Sequence, residues 1–353
     1  MDTKLYRIED IEKDFKAIEE AAHLLRQGQL VAFPTETVYG LGANALDGQA
    51  VDRIFKAKGR PNDNPLIAHI SKREDIEPLV LGVPAKVYPL IETFWPGPLT
   101  IILKKSSRVP AQTTAGLDTL AIRMPNHPVA LAVIDKAGLP IAAPSANRSG
   151  KPSPTTAQHV LDDLNGRIPM ILDGITPCSV GLESTVLDMS GGVPTILRPG
   201  AVTLEMLKEI LGHVEVDKTV LKPLEKGQPP KSPGMKYIHY APRAKVIIFR
   251  GTSLDRITKE VSRRAKEYVR EGKKVGILAT DETTHQYKGQ DIISLGSRKN
   301  PASIAANLFS SLREFDDMGV DIILAEWVEE KGEGLAIMNR MVRAAGFRVI
   351  DAQ

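Results

Sequence analysis

Cationic side chains beside a stiff polar loop are the first feature of this sequence that points to chemistry. Lys58 and Arg60 lie in FKAKGRPNDNPLIAH, residues 55–69, where Pro61 and Pro65 restrict the backbone. Fixed cations of this kind bind phosphate or carboxylate groups, and rigid polar loops are common ligand sites. The same cations would also complement the dipole at the carboxyl end of a helix, so a purely structural role stays open.

Three further polar segments adjoin short apolar runs. APSANRSGKPSPT, residues 143–155, has the serines, glycine and amide of a loop that could cradle phosphate, although its spacing is not that of a Walker A loop. PTETVYGLG, residues 34–42, and GLESTVLD, residues 181–188, place hydroxyl and carboxylate side chains at strand ends. For each segment, an ordinary turn or a polar strand cap is the alternative interpretation.

The residue types of familiar hydrolytic and zinc sites are not spaced for those chemistries. The seven histidines show no H-E-x-x-H spacing, Ser149 is not in a G-x-S-x-G segment, and Cys178 is the single cysteine. A lone Cys178 forms no internal disulfide and is expected to be a small buried thiol. Hydroxyls, amides and cations without a strong nucleophile suit adenylyl or phosphoryl transfer, in which positioning and charge neutralisation supply most of the rate.

The composition is that of a globular protein from a reducing compartment. The chain has 353 residues, 42% of them hydrophobic and 25% charged, with a formal net charge of +3. This balance argues against a dedicated polybasic nucleic-acid binder, while leaving room for a local basic cleft. The acidic N-terminal segment has no apolar signal core, and no apolar run is long enough to span a membrane. We therefore expect a soluble, cytoplasmic protein with no membrane association.

Hydrophobic periodicity predicts two α/β domains joined by a linker. In the first domain, residues 1–217, short apolar strands alternate with helices such as those predicted over 9–27 and 48–58. The linker, residues 218–244, is rich in Pro, Gly and Lys and follows neither period. In the second domain, residues 245–353, alternating strands and helices predict a small parallel sheet without the G-x-G-x-x-G of a dinucleotide domain.

Together and in order, the motifs resemble those of the YrdC-like family. They are PTETVYGLG, the K-x-R of Lys58 and Arg60, NPLIAH, FWPGPLT, the S-x-N of Ser145 and Asn147, and GLESTV. The linker segment SPGMKYIHYAP and the C-terminal domain resemble the long, Sua-type form of the L-threonylcarbamoyladenylate synthases, so the resemblance covers nearly the whole chain. It implies an α/β fold: an N-terminal YrdC-like twisted mixed sheet with helices, then a small C-terminal Rossmann-like parallel α/β domain.

The resemblance also implies a reaction. L-threonine, bicarbonate and ATP, accompanied by Mg²⁺, would give threonylcarbamoyl-AMP and pyrophosphate. A downstream transferase machinery would then form N6-threonylcarbamoyladenosine in tRNA, and direct tRNA binding is left open. Related O-carbamoyltransferases need a metal-binding acyltransferase domain that is not recognised in this sequence. The remaining alternative, a non-enzymatic RNA-binding module, is disfavoured by the near-neutral charge and an aromatic content of 5%.

Site residues follow from the resemblance, position by position. Those similar to threonine-binding positions are Thr37, His69, Arg123, Ala143 and Ser184. Those similar to ATP-binding positions are Arg60, Asn64, Thr119, Ser145, Ser153, Arg198 and a linker aromatic among Tyr237, His239 and Tyr240. The catalytic signature is Lys58, Arg60, Ser145 and Asn147. Arg123 also has a rationale of its own, since a guanidinium at a strand end suits a carboxylate.

The aromatic part of the linker suggests more than a spacer. Residues 232–242 hold Met235, Lys236, Tyr237, His239 and Tyr240 between two prolines, which limit the entropy lost when the segment orders. We expect this segment to act as a lid that excludes water from a labile carbamate. A passive tether is the alternative.

Overall fold

The structure is a computed structural model that describes residues 2–174, 176–223 and 239–352. Two compact units divide these residues: the first contains 2–149 and 153–223, and the second contains 150–152 and 239–352. Most of the predicted lid, including Tyr237, lies outside the described residues, so its role stays a prediction.

The first unit is built on a mixed sheet that has eleven strands within the described residues. In chain order they are β1 Lys4–Ile8, β2 Val31–Phe33, β3 Gly40–Asn44, β4 Ile67–His69, β5 Leu99–Lys104, β6 Thr119–Arg123, β7 Ile141–Ala142, β8 Met170–Gly174, β9 Thr185–Asp188, β10 Thr195–Arg198 and β11 Glu215–Val216. Side by side they run β1-β8-β2-β3-β7-β4-β6-β5-β9-β10-β11. The predicted mixed α/β architecture of this part is confirmed.

Helices cover both faces of this sheet. They are α1 Phe15–Arg26, α2 Gly48–Lys58, α3 Val87–Phe94, α4 Ala111–Thr114, α5 Pro128–Ala137, α6 Ala157–Leu164 and α7 Leu204–Leu211, with 3₁₀ turns at Arg73–Leu79 and Lys218–Val220. Alternate residues of β2 point to opposite faces: Phe33 packs in a core with α1 and α5, and Ala32 in a core with α2, α3 and α6. The sheet is therefore the middle layer of three.

The predicted helix over residues 9–27 is too long at its start. The carboxylate of Asp14 accepts from the backbone N–H of Glu9 and Asp10, and that of Asp10 accepts from Glu12 and Lys13. These bonds hold the chain in a turn, and α1 begins only at Phe15. The helix predicted over 48–58 matches α2.

The second unit is a smaller sheet with helices. Its described elements are β12 Lys245–Arg250, α8 Leu254–Arg270, β13 Val275–Ala279, a 3₁₀ turn Thr284–Gln286, β14 Asp291–Ser294, α9 Pro301–Met318, β15 Ile322–Glu326, α10 Glu333–Ala344 and β16 Val349–Asp351. The strands run β14-β13-β15-β12-β16, and every pairing between them is parallel. The predicted Rossmann-like parallel sheet is confirmed, and β16 is an additional edge strand. No helix among the described residues of either unit has the length and apolar character needed to cross a membrane.

Strand direction gathers polar residues at one end of the first sheet. β4 and β6 are parallel and place His69 beside Arg123. β5 runs antiparallel to β6 and parallel to β9, so Ser184, just before β9, belongs to the same end of the sheet. This end of the sheet therefore carries His69, Arg123 and Ser184.

We predict that Gly200→Ala destabilises the first unit by about 1–3 kcal/mol, because it overpacks a closed backbone contact. A Cβ on Gly200 would lie 2.4 Å from the backbone nitrogen of Thr185 and 2.8 Å from the carbonyl carbon of Ser184. Urea unfolding measures the loss. Gly191→Ala is the matched control, because its Cβ would meet no atom within 4 Å. Equal stability of the two variants would contradict this account of the contact.

Candidate active site

Lys58 joins two of the motifs found in the sequence. It is the last residue of α2, which begins at the Asp47 cap and ends at Gly59 in the left-handed conformation (φ 63°). The Lys58 ammonium is buried and donates to the carbonyl oxygens of Ser145 (2.5 Å) and Asn147 (2.6 Å). The K-x-R and S-x-N segments therefore meet, and complementing a helix dipole does not by itself account for Lys58.

The S-x-N loop is fixed by further hydrogen bonds. The hydroxyl of Ser145 donates to Asn147 Oδ1 at 2.6 Å, and Asn147 Nδ2 donates to the Arg148 carbonyl at 2.8 Å. The backbone N–H of Ser149 returns to the Lys58 carbonyl at 3.0 Å. Side chain and backbone of Lys58 thus both hold this loop, which gives it one conformation beside the end of α2.

Other residues assigned to ATP binding lie in the loops around this contact. Arg60 follows α2, with its guanidinium carbon 5.7 Å from the centroid of the Phe55 ring. Asn64 is fully buried in the loop that leads to β4. The buried hydroxyl of Ser153 donates to Glu183 Oε1 at 2.5 Å, which ties the segment after the S-x-N loop to the GLESTV motif.

Arg123 is the centre of a second buried cluster. Its Nε donates to the Gly97 carbonyl (3.2 Å), its Nη1 donates to the Thr37 hydroxyl (3.0 Å), and its Nη2 lies 2.7 Å from Glu36 Oε2. The Thr37 hydroxyl also contacts that of Thr35 at 2.8 Å. A buried guanidinium lined by hydroxyl groups is a chemically suitable receptor for a small carboxylate with a hydroxyl group.

Ser184 is held in a further buried contact, with Arg198 and Thr100. Arg198 Nε donates to the Ser184 carbonyl at 3.0 Å, and its Nη2 donates to the Ser184 hydroxyl at 3.2 Å. The same hydroxyl lies 2.7 Å from that of Thr100. All three side chains are buried, so the Ser184 hydroxyl is held between Thr100 of β5 and Arg198 of β10.

His69 is present as an uncharged ring. Burial, together with the positive charges of Arg123 and Arg198, lowers the pKa of His69 to about 3. Its Nδ1 lies 3.2 Å from the Ile67 carbonyl, which makes Nδ1 the donor. The backbone N–H of Ala143 donates to the same Ile67 carbonyl at 3.0 Å, which places Ala143 beside His69.

Four assigned residues are not brought into these clusters by the described contacts. Thr119 is at the start of β6, at the opposite end of the strand from Arg123. Tyr237 lies outside the described residues. His239 and Tyr240 belong to the second unit, where the Tyr240 ring lies 5.1 Å from that of Phe309.

Three residues that contact the assigned site residues were given no role in the sequence analysis. Glu36 and Glu183 were noticed in their motifs, but nothing in the sequence indicated their partners. Thr100 was missed, and its signal was a polar side chain inside the apolar run of β5. In the structure these residues contact Arg123, Ser153 and Ser184 respectively.

Cys178 is buried, as expected from the sequence. Burial raises the pKa of its thiol to about 12, with the negative charge of Glu36 among the further causes. The thiol therefore stays protonated near neutral pH and is a poor nucleophile.

Two family models match the chain. Residues 23–200 match a family described as Telomere recombination, Sua5_yciO_yrdC, and residues 202–346 match one described as Threonylcarbamoyl-AMP synthase, C-terminal domain. The first model covers half of the chain, and the second covers most of the rest. The two matches meet at residues 200–202, between β10 and α7.

Similar proteins extend over nearly the whole length. A threonylcarbamoyl-AMP synthase of Bacillus subtilis is 50% identical over 334 residues, 94% of each chain. One of Pyrococcus abyssi is 49% identical over 94% of this chain and 95% of its own. A crystal structure of P. abyssi Sua5 complexed with L-threonine superposes with a TM-score of 0.93 at 47% identity, covering 99% of this chain and 100% of that one. This chain therefore belongs to the Sua5/YciO/YrdC family, in the form that carries the Sua5 C-terminal domain.

Proposed function

We propose that this protein is an L-threonylcarbamoyladenylate synthase that condenses L-threonine, bicarbonate and ATP and releases pyrophosphate. The product supplies the threonylcarbamoyl group for N6-threonylcarbamoyladenosine in tRNA, through a separate transferase machinery. The observation that carries the proposal is a pair of buried cationic clusters in the first unit, one around Lys58 and one around Arg123. Its relatives at about 50% identity are named for this reaction.

The Arg123 cluster is suited to the amino acid. The guanidinium would bind the threonine carboxylate, and the hydroxyl groups of Thr37 and Ser184 would recognise the side-chain hydroxyl of the substrate. A neutral His69 adds no further positive charge to this pocket. The crystal structure of the P. abyssi relative, described as a complex with L-threonine, supports an amino-acid site in this fold.

The Lys58 cluster is suited to the nucleotide. The S-x-N loop is held rigidly, which lowers the entropy lost on binding, and Arg60 and Arg198 supply charge for a triphosphate. In the reaction a carbamate oxygen attacks the α-phosphate, the α–β phosphoanhydride bond breaks, and pyrophosphate leaves. Positioned cations stabilise the negative charge that develops on the leaving group.

We propose that Mg²⁺ reaches the site bound to ATP. Among the described residues, no three His, Cys, Asp or Glu side chains gather as a metal cluster. Mg²⁺ at nucleotide sites is held by phosphates, water and one or two carboxylates, so this donor set fits a metal carried by the substrate. Glu183, hydrogen-bonded to Ser153, is the carboxylate that would hold it. We also propose a cytoplasmic location, where ATP and tRNA are available.

Threonine and bicarbonate together should stimulate pyrophosphate release from ATP. A pocket that hydrogen-bonds the substrate hydroxyl leaves buried polar groups unpaired with valine, so we expect valine to be at least about 100-fold less effective. A coupled pyrophosphate assay with threonine, valine or no amino acid measures this. Equal release with valine would contradict the site, and no release with either would contradict the enzyme and favour a binding module.

Arg60→Ala should abolish threonine-dependent pyrophosphate release with a loss of stability of only about 0.5 kcal/mol, because Arg60 lies in a polar loop. Lys56→Ala is the matched control: Lys56 is exposed in the last turn of α2 and faces the same helix dipole. Turnover and urea unfolding are measured for both variants. If both keep full turnover, the cations serve only the helix dipole.

A further inference from the structure

The carboxylate of Glu36 is buried without regular hydrogen bonds. Glu36 is 6% exposed, and its Oε2 lies 2.7 Å from Arg123 Nη2. Despite this short distance, neither carboxylate oxygen makes a hydrogen bond of regular geometry with any described residue, and neither does Nη2. Buried carboxylates are normally satisfied by several donors, because leaving them unsatisfied is costly.

Glu36 is not needed to orient Arg123. The guanidinium already donates to the Gly97 carbonyl and the Thr37 hydroxyl, which fix the plane of its fork. A structural Arg–Glu pair is typically bidentate, with two parallel N–H···O bonds. Here the pair brings two opposite charges close together and leaves hydrogen-bonding capacity on both.

Such a pair complements a free amino acid, which carries a carboxylate and an ammonium on the same carbon. We infer that Glu36 is a further catalytic residue: it binds the ammonium of the amino-acid substrate while Arg123 binds the carboxylate, and it accepts a proton from that ammonium. This inference rests on the proposed function and adds to it the group that prepares the amine.

The proton transfer is required by the chemistry. An ammonium has no lone pair, so it does not attack bicarbonate. One N–H bond breaks, its electron pair stays on nitrogen, and the proton forms an O–H bond on Glu36. The free amine then forms a bond to the carbon of bicarbonate. The C–OH bond breaks, and the hydroxide leaves as water with a second proton from nitrogen, which gives the carbamate. Glu36 returns its proton to solvent.

Two ligands separate this role from a structural one. L-threonine carries the ammonium, and 3-hydroxybutyrate keeps the carboxylate and hydroxyl but lacks it. In the wild-type protein, calorimetry should give at least about tenfold tighter binding of threonine than of 3-hydroxybutyrate, since a hydrogen bond to a charged group is lost. In Glu36→Gln this preference should fall to within about threefold, because only threonine loses a partner. Glu92→Gln, an exposed carboxylate of the same unit, should keep the wild-type preference.

Turnover provides a second readout. At neutral pH, Glu36→Gln should lower threonine-dependent pyrophosphate release by about 100-fold. Its remaining rate should rise about tenfold per pH unit, because more threonine then arrives as the free amine, whereas the wild-type rate should not. Glu36→Asp should keep more activity than Glu36→Gln.

The outcomes are distinguishable. Equal weakening of both ligands in Glu36→Gln, with no pH rescue, would overturn the inference and assign Glu36 to the support of Arg123. If Glu36→Gln does not fold, equal affinity of the wild-type protein for the two ligands would overturn it equally. A wild-type protein that binds threonine but releases no pyrophosphate would contradict the proposed function and leave the ammonium site standing.

Discussion

A single buried ammonium group determines how the proposed nucleotide side of the site is assembled. Lys58 and the loop it holds are 87 residues apart in sequence, and its hydrogen bonds to Ser145 and Asn147 bring them together. Burying this charge without hydrogen-bond partners would be strongly unfavourable. The two carbonyl groups offset that cost, and the ammonium in turn satisfies the buried carbonyl groups. The end of α2 and the S-x-N loop therefore form one rigid body, around which the remaining loops are arranged.

The proposed amino-acid side follows from a different constraint, the direction of the strands. Because β4 and β6 are parallel, and β5 and β9 begin where β6 ends, Arg123, His69 and Ser184 reach the same end of the sheet. All three side chains are buried away from water, which strengthens each charge interaction. The low dielectric also keeps His69 neutral, so the pocket concentrates its positive charge on the arginines.

Much of the fold could be predicted from local sequence signals, and the exceptions have physical causes. The helix over 48–58 has a capping Asp47 and a terminal Gly59, both readable in the sequence. Strand β3, GLGAN, was not predicted, because glycine disfavours strands. It pairs with β2 and β7, and the absent side chain of Gly42 leaves room for the Phe33 ring, which would lie only 2.6 Å from a Cβ there. The strand propensity of single residues does not include such a tertiary contact.

The candidate site, like the fold, has features that the sequence predicts and features that it does not. The sequence singled out the K-x-R and S-x-N segments, and the structure shows that Lys58 contacts Ser145 and Asn147. Side-chain partners could not be predicted, since contacts such as that between Thr100 and Ser184 join residues far apart in sequence. Thr119 lies at the start of β6, and its assignment to ATP binding stays a prediction.

The buried thiol of Cys178 has a practical consequence. It is the chain's single cysteine, and its burial beside the Thr35–Glu36 segment keeps it protonated and shielded from reagents. Any event that loosens this segment would expose the thiol and increase its rate of alkylation. The protein therefore carries its own chemical probe, whose labelling rate reports local opening next to the proposed amino-acid pocket without the introduction of a foreign group.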